Sequence, residues 1–502
     1  MKGKEESGND KVPTWYFPLS TFHFPLLSNV LKLAAAAAIL SAACAHRDFK
    51  EHRLCVVPAG AKVERFELSS NSRHVALVYS LDSTKFVVVD GRKDKAYDDI
   101  GKLVLTPGGR SAYVAMTGGK NVVVEDGRES KVYDAVGPLL FPDDGTKLIF
   151  PGKLNNQRSL VVNGTEGKWY DDVTNPVLGS DGKRLAFSVK VGEKWMTVVD
   201  GREEKQYVEV NPAVFSPDNG HFAYAAGRDS QWVVVVDTVE GKRYDRIILG
   251  PRLGPGAEHL AYVAGRGKKM FVVYDGKEGE EYDFIPALLT DSSLTFVAYP
   301  ASRRDSWVVV STDKPGKTYW RIRPPVLGPG RHVAYGASPA PNQELMVVDG
   351  VEGEVYNGVG TAVFSPDGLR VAYAAGQGGV QVAVVDGKED RTFYEAVGEP
   401  QFSPNGKRVA YAARRNGKWM VTVDNTEGEP YDAVMPGRFF SPDSRRVVYG
   451  AQRKGKMVLV VDGRETGREY DAIRQVVFDA RGRPQFAALC GDTVLAVTYS
   501  GN

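Results

Sequence analysis

Hydrophobic positions along the chain come in short runs separated by glycine, proline and acidic residues, and the runs repeat. Residues 362–397 read AVFSPDGLRVAYAAGQGGVQVAVVDGKEDRTFYEAV, and from Glu399 the chain writes nearly the same phrase again, EPQFSPNGKRVAYAARRNGKWMVTVDNTEGEPYDAV. An Asp or Asn closing the third run marks the period: Asp90, Asp126, Asn163, Asp200, Asp237, Asp275, Asp313, Asp349, Asp386, Asp424 and Asp462, at intervals of 36 to 38 residues. A tyrosine follows in step, from Tyr97 and Tyr133 to Tyr431 and Tyr470. A fixed period of this length is the mark of a repeat architecture.

Each unit predicts four short strands. SPDG and DG supply tight turns, and the β-branched runs between them read as hairpins. The third run, as in WVVVVD (Trp232–Asp237), is apolar at almost every position, so it predicts a strand buried on both faces. No unit shows helical periodicity, which excludes helical solenoids. Four-stranded sheets packed between copies of themselves are propeller blades, and the fold class is all-β. The chain ends supply the runs LCVVP and KVERFEL at one side, PQFAAL and TVLAVTY at the other. Neither end is a whole blade, but together they make about one, closing eleven units into twelve blades with no exposed sheet edge. The unbroken period favours one ring. The usual four to eight blades per propeller favours two rings of six, and that alternative stays open.

The phrase FSPDG-x-R-V-A-Y followed by a VVDG strand resembles the TolB-type, WD-repeat-like propeller repeat, over residues 69–499. The resemblance implies a propeller, found in binding proteins and enzymes alike. The separate α/β domain of that family has no counterpart here. Nor has the hydrolase domain of propeller-bearing peptidases, and G-x-S-x-G does not occur.

The first 44 residues are unlike the rest. LKLAAAAAILSAAC (Leu31–Cys44) places Lys32 before an apolar run too short to span a bilayer comfortably, the form of a secretory signal. Its ending resembles a bacterial lipoprotein signal, which implies lipidation of Cys44; Ser41 stands where that family usually has Leu, with Leu40 one place earlier. Cleavage after Ala45 is the competing reading. The long stretch before Leu31 would be explained by a translation start near Val30. The chain thus divides into a targeting segment (1–43), a tether with N-terminal closing strands (44–68) and the repeats (69–502). The expected location is the periplasm or outer cell envelope.

Among the 502 residues 64 Lys and Arg nearly balance 62 Asp and Glu, so nothing predicts nucleic-acid binding. Four histidines share one register, His74, His221, His259 and His332, where other units carry Lys147, Arg184, Arg370, Arg408 and Arg446. A position that accepts His, Lys and Arg equally reads as local pairing beside a turn. A metal site needs converging ligands, as in polysaccharide lyases with TolB-like blades. The Asp-Gly turns lack the alternating acids of calcium loops, so no cofactor or metal is expected. Trp195, Trp232, Trp307 and Trp419 open third strands and read as packing between blades. Cys55 and Cys490 fall in the terminal runs, where a disulfide becomes possible if the closing strands are neighbours.

Charge by position says more than total charge. The loops between second and third strands hold 18 Lys and Arg against five acids, among them Arg266, Lys268, Lys269, Arg303, Arg304, Arg414, Arg415, Lys418, Arg453, Lys454 and Lys456. Between each repeat aspartate position and its tyrosine, acids outnumber bases 27 to 17. One basic and one acidic face follow, and the basic one suits an anionic partner. The reading is an exported, monomeric, non-enzymatic scaffold binding an envelope protein or anionic polymer through these loops, touching the membrane through a lipid anchor at most. The alternatives are a lyase-like, polysaccharide-cleaving enzyme at the ring centre and a largely structural propeller.

Overall fold

A computed structural model describes residues 48–501, apart from 72, 143, 313 and 391. The targeting segment and Cys44 lie outside the described residues. Within them the chain forms twelve antiparallel sheets of four or five strands, one per blade. Two short 3-10 turns, Pro255–Ala257 and Pro329–Arg331, are the helical elements among the described residues. No helix there is long and apolar enough to cross a membrane.

The strand order within blades is sequential, from an inner strand outwards. In several blades the inner strand is split, as in Glu209–Val210 and Val214–Phe215, with Pro212 in the gap. Proline has no N–H to give the ladder, so it is tolerated only on an edge strand such as this one beside the ring axis. In seven blades the outer hairpin turns at Asp-Gly, both residues holding positive φ, for example Asp386 at +53° and Gly387 at +74°. This is the primed turn whose twist matches its strands. In the seventh unit the turn position is Thr312, which takes φ +47° and donates its N–H to Val297 O. Asp313, the repeat residue expected from sequence, is one place late and lies outside the described residues.

Twelve apolar clusters fill the gaps between successive blades. One joins blade 6 (246–278) to blade 7 (289–315) through Val263, Val272, Tyr299 and Val310. Another joins blade 12 to blade 1 (62–93) through Leu54, Cys55, Leu77 and Tyr79. Two rings of six would put blade 6 against blade 1 instead. The propeller is one ring of twelve.

The last blade closes the ring with strands β1 (Phe49–Val56), β2 (Ala472–Phe478), β3 (Pro484–Cys490) and β4 (Thr493–Tyr499), in the order β2-β3-β4-β1 from the inside out. The N-terminus gives one strand and the C-terminus three. KVERFEL, expected in the closure, is instead the inner strand Lys62–Leu68 of blade 1, so the repeats begin at 62, not 69. The disulfide expectation fails for the same geometric reason. Cys55 on β1 lies opposite Val494 of β4, and Cys490 on β3 lies opposite Thr493 of β4. A whole strand separates the cysteines, about two strand spacings, beyond the reach of a bridge. Both are free, and burial pushes the Cys55 thiol up to about 11.

A recurring polar motif stitches blade to blade. The tyrosine ending one blade donates to a glutamate on the outermost strand of the next: Tyr133 to Glu166 (3.0 Å), Tyr170 to Glu203 (2.8 Å), Tyr319 to Glu352 (2.9 Å) and Tyr394 to Glu427 (2.9 Å). A lysine two places earlier often joins, as Lys168 does Glu203 at 2.7 Å. That lysine first, and then the tyrosine, hold Glu203 below the usual carboxylate range. At the closure Tyr470 meets Glu51 at 2.8 Å and Arg468 meets it at 3.0 Å, the same motif across the chain ends. Beneath it the tyrosine rings pack edge-on against an aromatic of the next blade, such as Tyr207 on Tyr224 at 6.2 Å and 75°.

On the opposite side from these tyrosine ends, each described repeat aspartate binds back to the preceding turn. Asp386 accepts Val371 N–H (3.1 Å) and Arg370 Nε–H (2.8 Å), while Arg370 Nη1 reaches Lys407 O of the next blade at 2.8 Å. Arg370→Ala is expected to cost about 1–2 kcal/mol in urea unfolding, discounted for its partial exposure. Arg370→His should cost less, because His332 holds the equivalent Asp349 at 2.6 Å.

Candidate functional site

The strand directions sort the connections onto two faces. Turns between first and second strands share a face with the Asp-Gly turns, as the Arg370–Asp386 contact requires; this is the Asp-Gly face. Turns between second and third strands share the other face with the links between blades, as when Asp98, just after Tyr97, accepts Gly118 N–H at 2.7 Å. This is the linker face.

All eleven basic residues singled out from sequence emerge on the linker face, in two sectors. Arg266, Lys268, Lys269, Arg303 and Arg304 belong to blades 6 and 7, and Arg414, Arg415, Lys418, Arg453, Lys454 and Lys456 to blades 10 (396–427) and 11 (433–470). The intervening blades 8 and 9 carry no Lys or Arg in the corresponding turns, PAPN and QGG.

Most of these cations are paired. Arg266 meets Glu278 (2.9 Å), Lys269 meets Asp283 (2.6 Å), and Arg303 meets Glu280 (3.1 Å). Arg414 lies 3.6 Å from Glu395, Arg453 2.7 Å from Glu465, and Lys456 2.5 Å from Asp471. Arg415 is 2.5 Å from Glu427, and Lys418 pairs with Asp432. Their lysine partners, with backbone N–H groups at the turn, hold Asp283 and Asp432 below the usual range. Among the described residues Lys268, Arg304 and Lys454, at the turn tips, have no ion-pair partner. The signal missed in sequence was the residue after each tyrosine. Asp134, Asp283, Asp432 and Asp471 sit on this face and offset its charge, outside the loops that were counted. The expected acidic face is also displaced: glutamates such as Glu166, Glu203 and Glu352 run along the outermost strands, on the rim.

The four histidines do not converge. His74, His221, His259 and His332 each pair with the aspartate of their own blade, at 2.7, 2.8, 2.7 and 2.6 Å. Lys147, in the same register, reaches Gly182 O at 3.0 Å. Among the described residues no three His, Cys, Asp or Glu gather as a metal site would require. Trp195, Trp232 and Trp419 pack against the clusters between blades, while Trp307 meets Phe284 edge-on at 6.2 Å. An open cleft of about 330 Å³ lies at the ring seam, lined by Arg53, Leu54, Cys55, Tyr79 and Lys93 among others.

No family model matches the chain, and no curated protein does. Among solved structures, the chain is similar to the β-propeller domain of the Trilobed protease from Pyrococcus furiosus, at 11% identity, covering 50% of this chain and 95% of that one with a TM-score of 0.25. It is also similar to the β-propeller domain of Myceliophteria thermophila Cps50 (Swd1), at 14% identity, covering 57% and 95% with a TM-score of 0.21. Both are propellers; the count of twelve blades rests on this chain's own strand pairing.

Proposed function

We propose that this propeller is a TolB-like, non-enzymatic binding scaffold of the cell envelope, exported by its N-terminal segment and anchored through Cys44, and that it holds a protein or anionic polymer on its linker face. One observation carries the reading: the basic turns share one face, running through blades 1 to 7 and again through blades 10 and 11, with none in blades 8, 9 and 12. Paired side chains hold each turn in place, and Lys268, Arg304 and Lys454 stand free at the tips. Such an arrangement gives an anionic partner fixed points of contact and a salt-sensitive encounter.

The triple variant K268Q/R304Q/K454Q breaks no ion pair, so its thermal midpoint should stay within about 2 °C of the parent while surface substitutions remain near neutral. Capture of a partner from envelope extracts should weaken several-fold, with a shallower dependence on salt. Reversing Arg414, Arg415, Arg453 and Lys454 together should weaken it further. Unchanged capture by both variants would refute the site. The anchor is read separately: Cys44→Ser should leave the membrane fraction or remain unprocessed, and equal fractionation of both forms would refute lipidation.

A further inference from the structure

The Asp-Gly face carries a second set of cations, set by register. In eleven blades the residue opposite the last position of the third strand opens the outermost strand, and in the closing blade its equivalent is Lys50, one place inside the strand and opposite Thr498. Around the ring from blade 1 it is Arg92, Arg128, Thr165, Arg202, Val239, Lys277, Lys314, Val351, Lys388, Thr426, Arg464 and, on the closing strand, Lys50. Eight of the twelve are Lys or Arg and none is acidic. All eight are exposed, and among the described residues none has an ion-pair partner. The next residue is glutamate in ten of the twelve blades. Side chains alternate along a strand, so the glutamate turns to the neighbouring blade's tyrosine while the cation at the strand tip is left to solvent. The repeat aspartate at the same turn is engaged inwards, as Asp462 is by Val447 N–H at 2.8 Å.

The N-terminus enters on this same face. Phe49 lies opposite Tyr499, at the end of the third strand where the other blades make their outer hairpin turn. The chain therefore joins the ring at blade 12 between Arg464 and Arg92, beside Lys50.

We infer that the Asp-Gly face lies against an anionic lipid bilayer, its unpaired Lys and Arg tips meeting the headgroup phosphates around the point where the tether enters. The inference rests on the proposed export and anchoring, and it places the linker face outwards. Lipid headgroups are chosen over a soluble polyanion because the cations ring the chain's own entry point from an apolar segment. Each Lys or Arg near such a surface is worth about 1 kcal/mol, roughly fivefold in partition.

The ring is complete from Phe49 to Tyr499, so protein beginning at His46 keeps every blade and has neither lipid nor apolar run. It should sediment with phosphatidylcholine vesicles containing about a third phosphatidylglycerol, but not with phosphatidylcholine alone, and salt should release it. The variant K50Q/R92Q/R128Q/R464Q, on blades 11, 12, 1 and 2, should lose at least tenfold in partition, while K268Q/R304Q/K454Q should lose less than twofold. Absence of anionic binding, an equal loss in both variants, or binding to dextran sulfate without binding to vesicles would overturn the inference. None of these outcomes bears on the Cys44→Ser fractionation, so a failure of the anchor and a failure of the docking face are told apart.

Discussion

Deleting Phe49–Val56 is expected to abolish the closed ring, although the strand is only eight residues long. Its loss removes Leu54 and Cys55 from the core between blades 12 and 1, and Phe49 from its packing on Tyr470 and Tyr499. At about 1.5–3 kcal/mol for a well-buried large apolar side chain such as Leu54, with less from the small Cys55 and the half-buried Phe49, that is roughly 3–6 kcal/mol. It also leaves Tyr470 without Glu51 and exposes one edge of β4 to other chains. Set against a total of 5–15 kcal/mol for typical domains, the loss is large enough to unfold or oligomerise the ring. Size-exclusion chromatography and thermal melting of the deletion report this directly, and a synthetic peptide covering residues 48–57 should restore the monomer. A deletion that stays monomeric and melts within a few degrees of the parent would show that the closure contributes little.

The second large effect concerns the edge-on aromatic pairs. Tyr224 is 1% exposed and packs on Tyr207 of the preceding blade. Tyr224→Ala should cost about 3–5 kcal/mol, because rigid neighbouring sheets cannot collapse into the space. Tyr224→Phe should cost about 1 kcal/mol or less by comparison with isosteric core swaps. The chain itself makes that substitution elsewhere: Phe150 meets Tyr133 at 5.8 Å and 84°, and Phe486 meets Tyr470 at 5.6 Å and 81°. Urea unfolding of the two variants would separate them. Equal losses would place the energy in the hydroxyl and not in the ring. Burial first, and then the hydrogen bond to Glu240, push the Tyr207 hydroxyl up to about 12.

The blades were legible because each needs only local signals: an Asp-Gly turn, an apolar third run and a tyrosine at fixed spacing. The single ring was legible only through the unbroken period, since whether blade 6 meets blade 7 or blade 1 depends on surfaces that look alike in every unit. The closure was half legible. KVERFEL reads equally well as an end strand or as the start of blade 1, and only its pairing with Val75–Leu81 decides. The disulfide failed because sequence can put two cysteines in one sheet but cannot count the strands between them. The basic turns were visible, yet their neutralisation was not. Asp283 and Asp432 lie outside the loops in sequence and beside Lys269 and Lys418 in space.

That the first described strand is the outermost strand of the last blade has a consequence in time. Phe49 must wait for Tyr499, so the ring stays open until residue 499 has been synthesised. Any shortened product keeps a bare strand edge and cannot finish, however many blades it contains. The chain thus carries its own proof of completeness, and β1 is free for any other edge strand to capture until that proof arrives.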